Sequence, residues 1–201
     1  MAKVVAEMSM SLDGFIADPK DGVEHLFGWY GNGPVEVETA DRRWTFHVSE
    51  ASAAHLRQAF DSVGALVCGR RLFDHTQGWG GSHPVGAPIF VVTHSVPEDW
   101  PHPDAPLTFV TDGLESAIAQ AKAVAGGKIV AIASANIAQQ CLDAGLLDEI
   151  VVSLVPVLLG EGIPFFTNLK SAPVRLDGPT VVEGTGVTHL TYRVRRPAES
   201  R

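Results

Sequence analysis

Four short stretches of this sequence carry residue types that could bind an anion or move a proton. They are Ser11 to Ala17, in which Asp13 precedes Gly14; Gly69-Arg70-Arg71; Thr93-His94-Ser95; and Ala133-Ser134-Ala135-Asn136. Each follows an apolar run with the length of a strand. Taken singly, they have plain readings: a turn, a solvated helix start, a polar loop and an ordinary helix cap. Taken together they suit a diphosphate. A helix opening at Gly69 and another at Ser134 would each present unbonded N–H groups and a positive dipole end, with Arg70 and Arg71 beside them. Neither a G-x-G-x-x-G nor a Walker sequence is present, which argues against two common phosphate-binding designs.

The elements that must position these stretches are legible from pattern. Residues 3 to 10 alternate loosely as a first strand, ended by the Asp13-Gly14 turn signal. From Asp18 to about Val48, glycines and Pro34 interrupt Trp29, Tyr30 and Trp44 without lasting periodicity, which predicts a long loop, either a lid or a segment held down by aromatic anchors. Ser49 is placed to cap a helix to about Asp61, and Ala65 to Cys68 is a buried strand ending at Gly69. Pro88 to Val92 and Leu107 to Val110 are further interior strands. Asp112 with Glu115 suggests a capping box for a helix closed by Gly126-Gly127. Lys128 to Ala133 is a strand, Ser134 a cap for a helix ended by Gly145, and Asp148 to Leu159 a long apolar strand. Val181-Val182 and Thr188 to Val194 flank a Gly184-Thr185-Gly186 turn, a terminal hairpin. Alternating strands and helices imply an α/β three-layer fold: a mainly parallel sheet, helices on both faces, and an antiparallel hairpin at the end.

Composition narrows the function. Of 201 residues, 45% are hydrophobic and 19% charged, enough apolar content for one sizeable core and a single domain over 1–201. Fifteen basic against 23 acidic side chains, a net charge of −8, argue against a nucleic-acid partner. No apolar run reaches membrane-spanning length and Glu7 interrupts the amino-terminal apolar stretch, so no membrane partner and a cytoplasmic location are expected. Cys68 and Cys141 lie in apolar patterns and are expected in the core. The eight histidines are scattered without metal-ligand spacing, so no metal is expected.

Three ordered motifs carry a resemblance to a known family. Ser11-Leu12-Asp13-Gly14-Phe15-Ile16-Ala17, Cys68-Gly69-Arg70-Arg71-Leu72-Phe73, and Ala144 to Ile150 continuing through Pro156 to Gly162 resemble the RibD carboxyl-terminal reductase domain, of the dihydrofolate reductase-like superfamily, over roughly Lys3 to Arg195. The resemblance implies an NADPH-dependent oxidoreductase and a homodimer. It places Ile16 and Ala17 beside the nicotinamide, Gly69, Arg70 and Arg71 at the phosphates, Thr93 and His94 by the adenosine ribose phosphate, and Ser134, Ala135, Asn136 and Ile137 under the diphosphate. Two positions depart from the family pattern: Leu72 stands where a threonine is usual, and Ala133-Ser134 where one or two glycines are.

Such a reductase would place a hydride on carbon and a proton on the heteroatom of a small, flat C=N or C=O acceptor. Asp13 is the first candidate for the proton, with Glu161 or an ordered water as alternatives; a turn-forming role for Asp13 is equally open. Phe15, Asp74, Trp79 and Glu161 are candidates to line the acceptor, with Trp79 as a stacking ring. Two other readings compete. One is a small-molecule binding or sequestering protein that kept the fold, motivated by Leu72 and Ala133-Ser134. The other is a structural dimer module, drawing on the acidic surface and the apolar strands. The homodimer that the resemblance suggests would join through the exposed edge of the last hairpin or the apolar strand Val151 to Leu159.

Overall fold

The computed structural model describes residues 2–40 and 42–195. β1 (Val4–Ser11) alternates between two environments: Val4, Ala6, Met8 and Met10 pack into the main apolar core, which leaves Glu7, Ser9 and Ser11 on the opposite face. The segment expected to be a long loop is partly ordered. It contains β2 (Phe15–Ala17), the one-turn helix α1 (Glu24–Phe27), a 3-10 turn at Gly28–Gly31, and a hairpin of β3 (Val35–Glu38) and β4 (Thr45–Val48). Trp29 explains the order. It is only 3% exposed, its Nε1 donates to Ser9 Oγ at 3.1 Å, and its ring stacks on Tyr30, which in turn stacks on Phe46. These aromatics are anchors, whereas Trp44 is 43% exposed.

α2 (Glu50–Ser62) begins as predicted, with Ser49 Oγ accepting from the Ser52 N–H. There follow β5 (Val63–Gly69), α3 (Arg70–His75), a turn at Gln77–Gly81, β6 (Ile89–Val92), β7 (Leu107–Val110) and α4 (Leu114–Val124). The chain continues through β8 (Ile129–Ile132), α5 (Ala135–Asp143), β9 (Glu149–Val155), β10 (Ile163–Pro164), β11 (Leu176–Gly184) and β12 (Val187–Val194). Three boundaries differ from expectation. α4 is entered through Gly113 at φ 108° with no side-chain cap, so Asp112 and Glu115 form no capping box. Ser134 precedes α5 without capping it. β9 stops at Val155, because the Pro156-to-Gly162 stretch turns away to meet β2.

The main sheet has eight strands in the order β11-β12-β9-β1-β8-β5-β6-β7. From β9 to β7 every neighbouring pair is parallel, and β12 and β11 add antiparallel strands at one edge. Helices cover both faces. In β5, Ala65 and Val67 pack with residues of α4 and α5, while Leu66 and Cys68 pack on the other face with Phe73 of α3. Cys68 and Cys141 are fully buried, and burial pushes both thiols up to about 12. β9 is an interior strand between β12 and β1, so Val151–Val155 is not available as a dimer edge. None of the described helices is long and apolar enough to cross a membrane.

The turn after α3 is unusual: Gln77, Gly78, Trp79, Gly80 and Gly81 all have φ between 51° and 93°. A Cβ on Gly78 would lie 2.3 Å from the Trp100 ring, and Arg43 donates to the Trp79 and Ser82 carbonyls, so packing and hydrogen bonds hold this left-handed stretch.

Candidate active site

Parallel strands put their carboxyl ends on one side of the sheet, where crevices for ligands form. Side-chain bonds join the predicted segments there. The Gly69 N–H at the end of β5 donates to Ser134 Oγ after β8 at 2.9 Å. Arg70 Nε donates to both Asp74 carboxylate oxygens at 2.7 and 2.9 Å, and its NH1 donates to the Ser95 carbonyl at 3.0 Å and to Thr93 Oγ1 at 3.4 Å. Arg70 thus ties the start of α3 to the end of β6. Arg71 reaches the other way, donating to Asp21 Oδ2 at 2.8 Å in the loop after β2.

α5 starts immediately beside this junction. Ser134 Oγ is engaged by Gly69, so the first-turn amides of α5 have no side-chain cap. Ala135 and Ile137 are buried, and the Ile137 side chain packs 3.5 Å from where a Gly69 Cβ would stand. Asn136 is exposed and its Oδ1 accepts from Gln140. Thr93 is buried with Oγ1 donating to the Ser95 carbonyl, whereas His94 is exposed. Leu72 packs against the apolar cluster around Cys68, Phe73 and Ile89, which accounts for an aliphatic side chain at that position.

The β1–β9 side is built differently. Asp13 Oδ1 accepts from Ser11 Oγ at 2.5 Å and from the Leu159 N–H at 3.2 Å, and Oδ2 accepts from the Gly160 N–H at 2.7 Å. Ser11, with the backbone amides of the loop after β9, holds this carboxyl below the usual carboxylate range. Backbone bonds complete the join. Leu12 N–H donates to the Val157 carbonyl, Phe165 N–H to the Gly14 carbonyl, and β10 pairs with β2, setting Ile163 opposite Ala17. Gly162 is required at this contact, since a Cβ there would lie 2.2 Å from the Ala17 carbonyl oxygen. Next to it Asp18, Pro19, His25, Val157, Leu158, Leu159 and Glu161 line a groove of about 270 Å³.

The four acceptor-lining candidates therefore separate. Phe15 and Glu161 lie on the β1–β9 side. Asp74 is paired to Arg70, and Trp79 packs with Phe73, Ala87 and Ile89 beside β6. Trp79 is thus packed beside β6, four strand intervals along the sheet from β9.

Sequence reasoning passed over a buried polar group of Ser9, Ser52, Ser153 and His189, flanked by the half-buried Glu7 and His55. The signal for it was present in β1, where Glu7, Ser9 and Ser11 alternate with apolar residues in a strand whose apolar face is already complete.

Three comparisons bear on this geometry. The family model for the RibD C-terminal domain matches residues 2–187. The uncharacterized protein YwjB of Bacillus subtilis (strain 168) is 24% identical over 177 residues, covering 88% of this chain and 90% of YwjB. Among solved structures, a protein provisionally assigned to riboflavin biosynthesis from Shewanella sp. PV-4 superposes with a TM-score of 0.73 at 26% identity, over 98% of this chain and 100% of that one. Dihydrofolate reductase from Enterococcus faecalis, complexed with NADP(H) and RAB-propyl, superposes with a TM-score of 0.56 at 15% identity, over 96% and 97% of the two chains.

Proposed function

The chain belongs to the RibD C-terminal domain family, and from that premise we propose that it is an NADPH-dependent reductase of a small heterocyclic acceptor bearing a C=N or C=O bond. One observation carries the reading: the uncapped start of α5 meets the end of β5 and the two arginines at the carboxyl edge of a parallel sheet. Uncapped amides and guanidinium groups are a donor set that fits a diphosphate. A likeness of fold to a reductase complexed with NADP(H) supports the same choice of cofactor.

In this reading Arg71 is the mobile phosphate ligand. Its bond to Asp21 is an exposed ion pair, a kind worth at most about 1 kcal/mol, and is readily exchanged for phosphate oxygens. Arg70 is held at several points, so it positions Thr93 and Ser95, and with them the exposed His94, for the adenosine ribose phosphate. The α5 amides at Ala135, Asn136 and Ile137 take the diphosphate. Bound NADPH supplies the hydride. Phe15, Ile16 and Ala17 border the nicotinamide, and Asp13, ionised and engaged by three donors, fixes the loop that carries them. The proton then comes from Glu161 or from water in the adjoining groove. A homodimer joined through β11 completes the reading, since that edge strand exposes Leu176 and Val181.

Titration of tryptophan fluorescence with NADPH tests the proposal. Saturable binding, weakened about tenfold in Arg71→Ala, supports it; no saturation overturns it. The sequestering-protein reading is favoured by one feature, the Ser134 hydroxyl that occupies the Gly69 amide. It predicts ligand binding in the 270 Å³ groove with no consumption of NADPH.

A further inference from the structure

The reductase reading leaves unused the buried polar group between α2 and the sheet. In the pairing register, Ser9 of β1 lies opposite Ser153 of β9, and Ser153 opposite His189 of β12, a polar row across three strands. His189 is 1% exposed. Its Nδ1 is 2.9 Å from Ser153 Oγ and its Nε2 is 2.9 Å from Ser52 Oγ, so a neutral ring, one nitrogen donating and one accepting, is fully satisfied. The His55 ring of α2 stacks on it at 4.1 Å between centroids, and the Trp29 ring meets its edge at 5.0 Å. His55 Nε2 is buried without a hydrogen bond, 3.5 Å from Glu7 Oε1.

We propose that the stacked pair His55–His189 is an acid-operated latch, which seats α2 and Trp29 on β1, β9 and β12 while His189 is neutral and releases them when His189 binds a proton. The seat is close: a Cβ on Gly184, at the hairpin turn, would lie 2.1 Å from Ser52 Oγ. A proton on His189 is not tolerated in it, because among the described residues no carboxylate is paired with His189, the Glu7 carboxylate facing His55 instead. The serine hydroxyls could turn to accept from a charged ring, so the obstacle is not hydrogen bonding. It is burial, followed by the neighbouring imidazole, and together they push His189 down to about 4.

The other groups around the pair do not relieve this charge. Tyr30, from the 3-10 turn, is raised by burial and then by Glu7, and so stays neutral. β9 and β11 present only Ser153 and Val182 beside His189 in the register. Arg193, further along β12, is paired with Asp177, while Arg57 of α2 donates to the Glu36 carbonyl of β3. Glu50 and Asp61 of α2, Glu36 and His47 of the β3–β4 hairpin, and Glu183 of β11 are exposed.

The sign follows from linkage. Once α2 is released, His189 titrates near the ordinary 6.5, whereas in the latched state it titrates at about 4. The released state therefore binds more protons between these values. The latch is at full strength above 6.5 and weakens as the pH falls towards 4, by up to roughly 300-fold in its equilibrium.

Hydrogen-exchange protection factors of the α2 amides, read with Trp29 fluorescence at about pH 7.5 and about pH 4.5, test this directly. A selective loss of α2 protection on acidification is expected, and a much flatter response in His189→Asn, whose side chain stays neutral. Should that variant not fold, the nitrogen resonances of the histidine rings in the unaltered chain decide: His189 silent through the range where exposed histidines titrate supports the latch. Titration of His189 near 6.5, equal α2 protection at both pH values, or an unchanged acid response in a folded His189→Asn protein overturns it. None of these readouts depends on the reductase reading.

Discussion

The carboxyl edge of the sheet has two sides built on opposite principles. On the β1–β9 side, β2, β10 and the Asp13 carboxylate consume one another's hydrogen bonds, and Gly162 leaves no room for a side chain. On the β5–β8 side, the joins are made by side chains, and the first-turn amides of α5 carry no cap. A site that must orient a reacting ring needs the first design, since small misplacements at a reaction centre are costly in rate. A site that grips a phosphate needs the second, since its donors must be able to leave their resident partners.

Substitutions can break or sharpen this contrast, and the largest effect belongs to the tight side. Gly162→Val forces a Cβ into the Ala17 carbonyl and is expected to cost about 2–3 kcal/mol in denaturant unfolding. The β2–β10 pairing should go first, with protease cleavage near residues 156–164. Ser134→Ala comes next. It strands the Gly69 N–H, for about 1–2 kcal/mol, yet tighter NADPH binding is expected in titration because that amide becomes available to phosphate. Asp13→Asn should act mainly through pH. The folded carboxyl lies below 3.8, so its stabilisation is present above that value and is lost as the pH falls beneath it. The variant should lack this part of the acid unfolding limb. Arg71→Ala should change stability by under about 0.5 kcal/mol while weakening NADPH, a split that equal losses in both measurements would contradict.

The sheet was legible because β5, β6, β8 and β9 are largely apolar runs and β1 a loose alternation, and α2 because its cap and first turn are neighbours in sequence. The 18–48 segment was not, since Trp29 finds its partner Ser9 twenty residues away and no local period records that bond. At the site, the four segments were legible as a set, whereas the use of each side chain was not. Ser134 serves Gly69 instead of its own helix, and Arg70 serves Asp74, Thr93 and Ser95. The Ser134–Gly69 bond and the Arg70 bonds to Thr93 and Ser95 join the ends of neighbouring parallel strands, whose register is set by packing of the whole sheet. Asp74 and Trp79 follow Arg70 closely in sequence, which suggested a shared acceptor pocket, but the turn at Gln77–Gly81 directs Trp79 into the β6 cluster instead.

That turn also has a consequence for chirality. Gln77 and Trp79 are held in a conformation that costs an L-residue roughly 1–2 kcal/mol and costs its mirror image nothing. Chemical synthesis of the chain with D-glutamine at 77 should therefore yield a protein more stable than the natural one, at a single inverted stereocentre. The same inversion within α2 or α4 would break the helix.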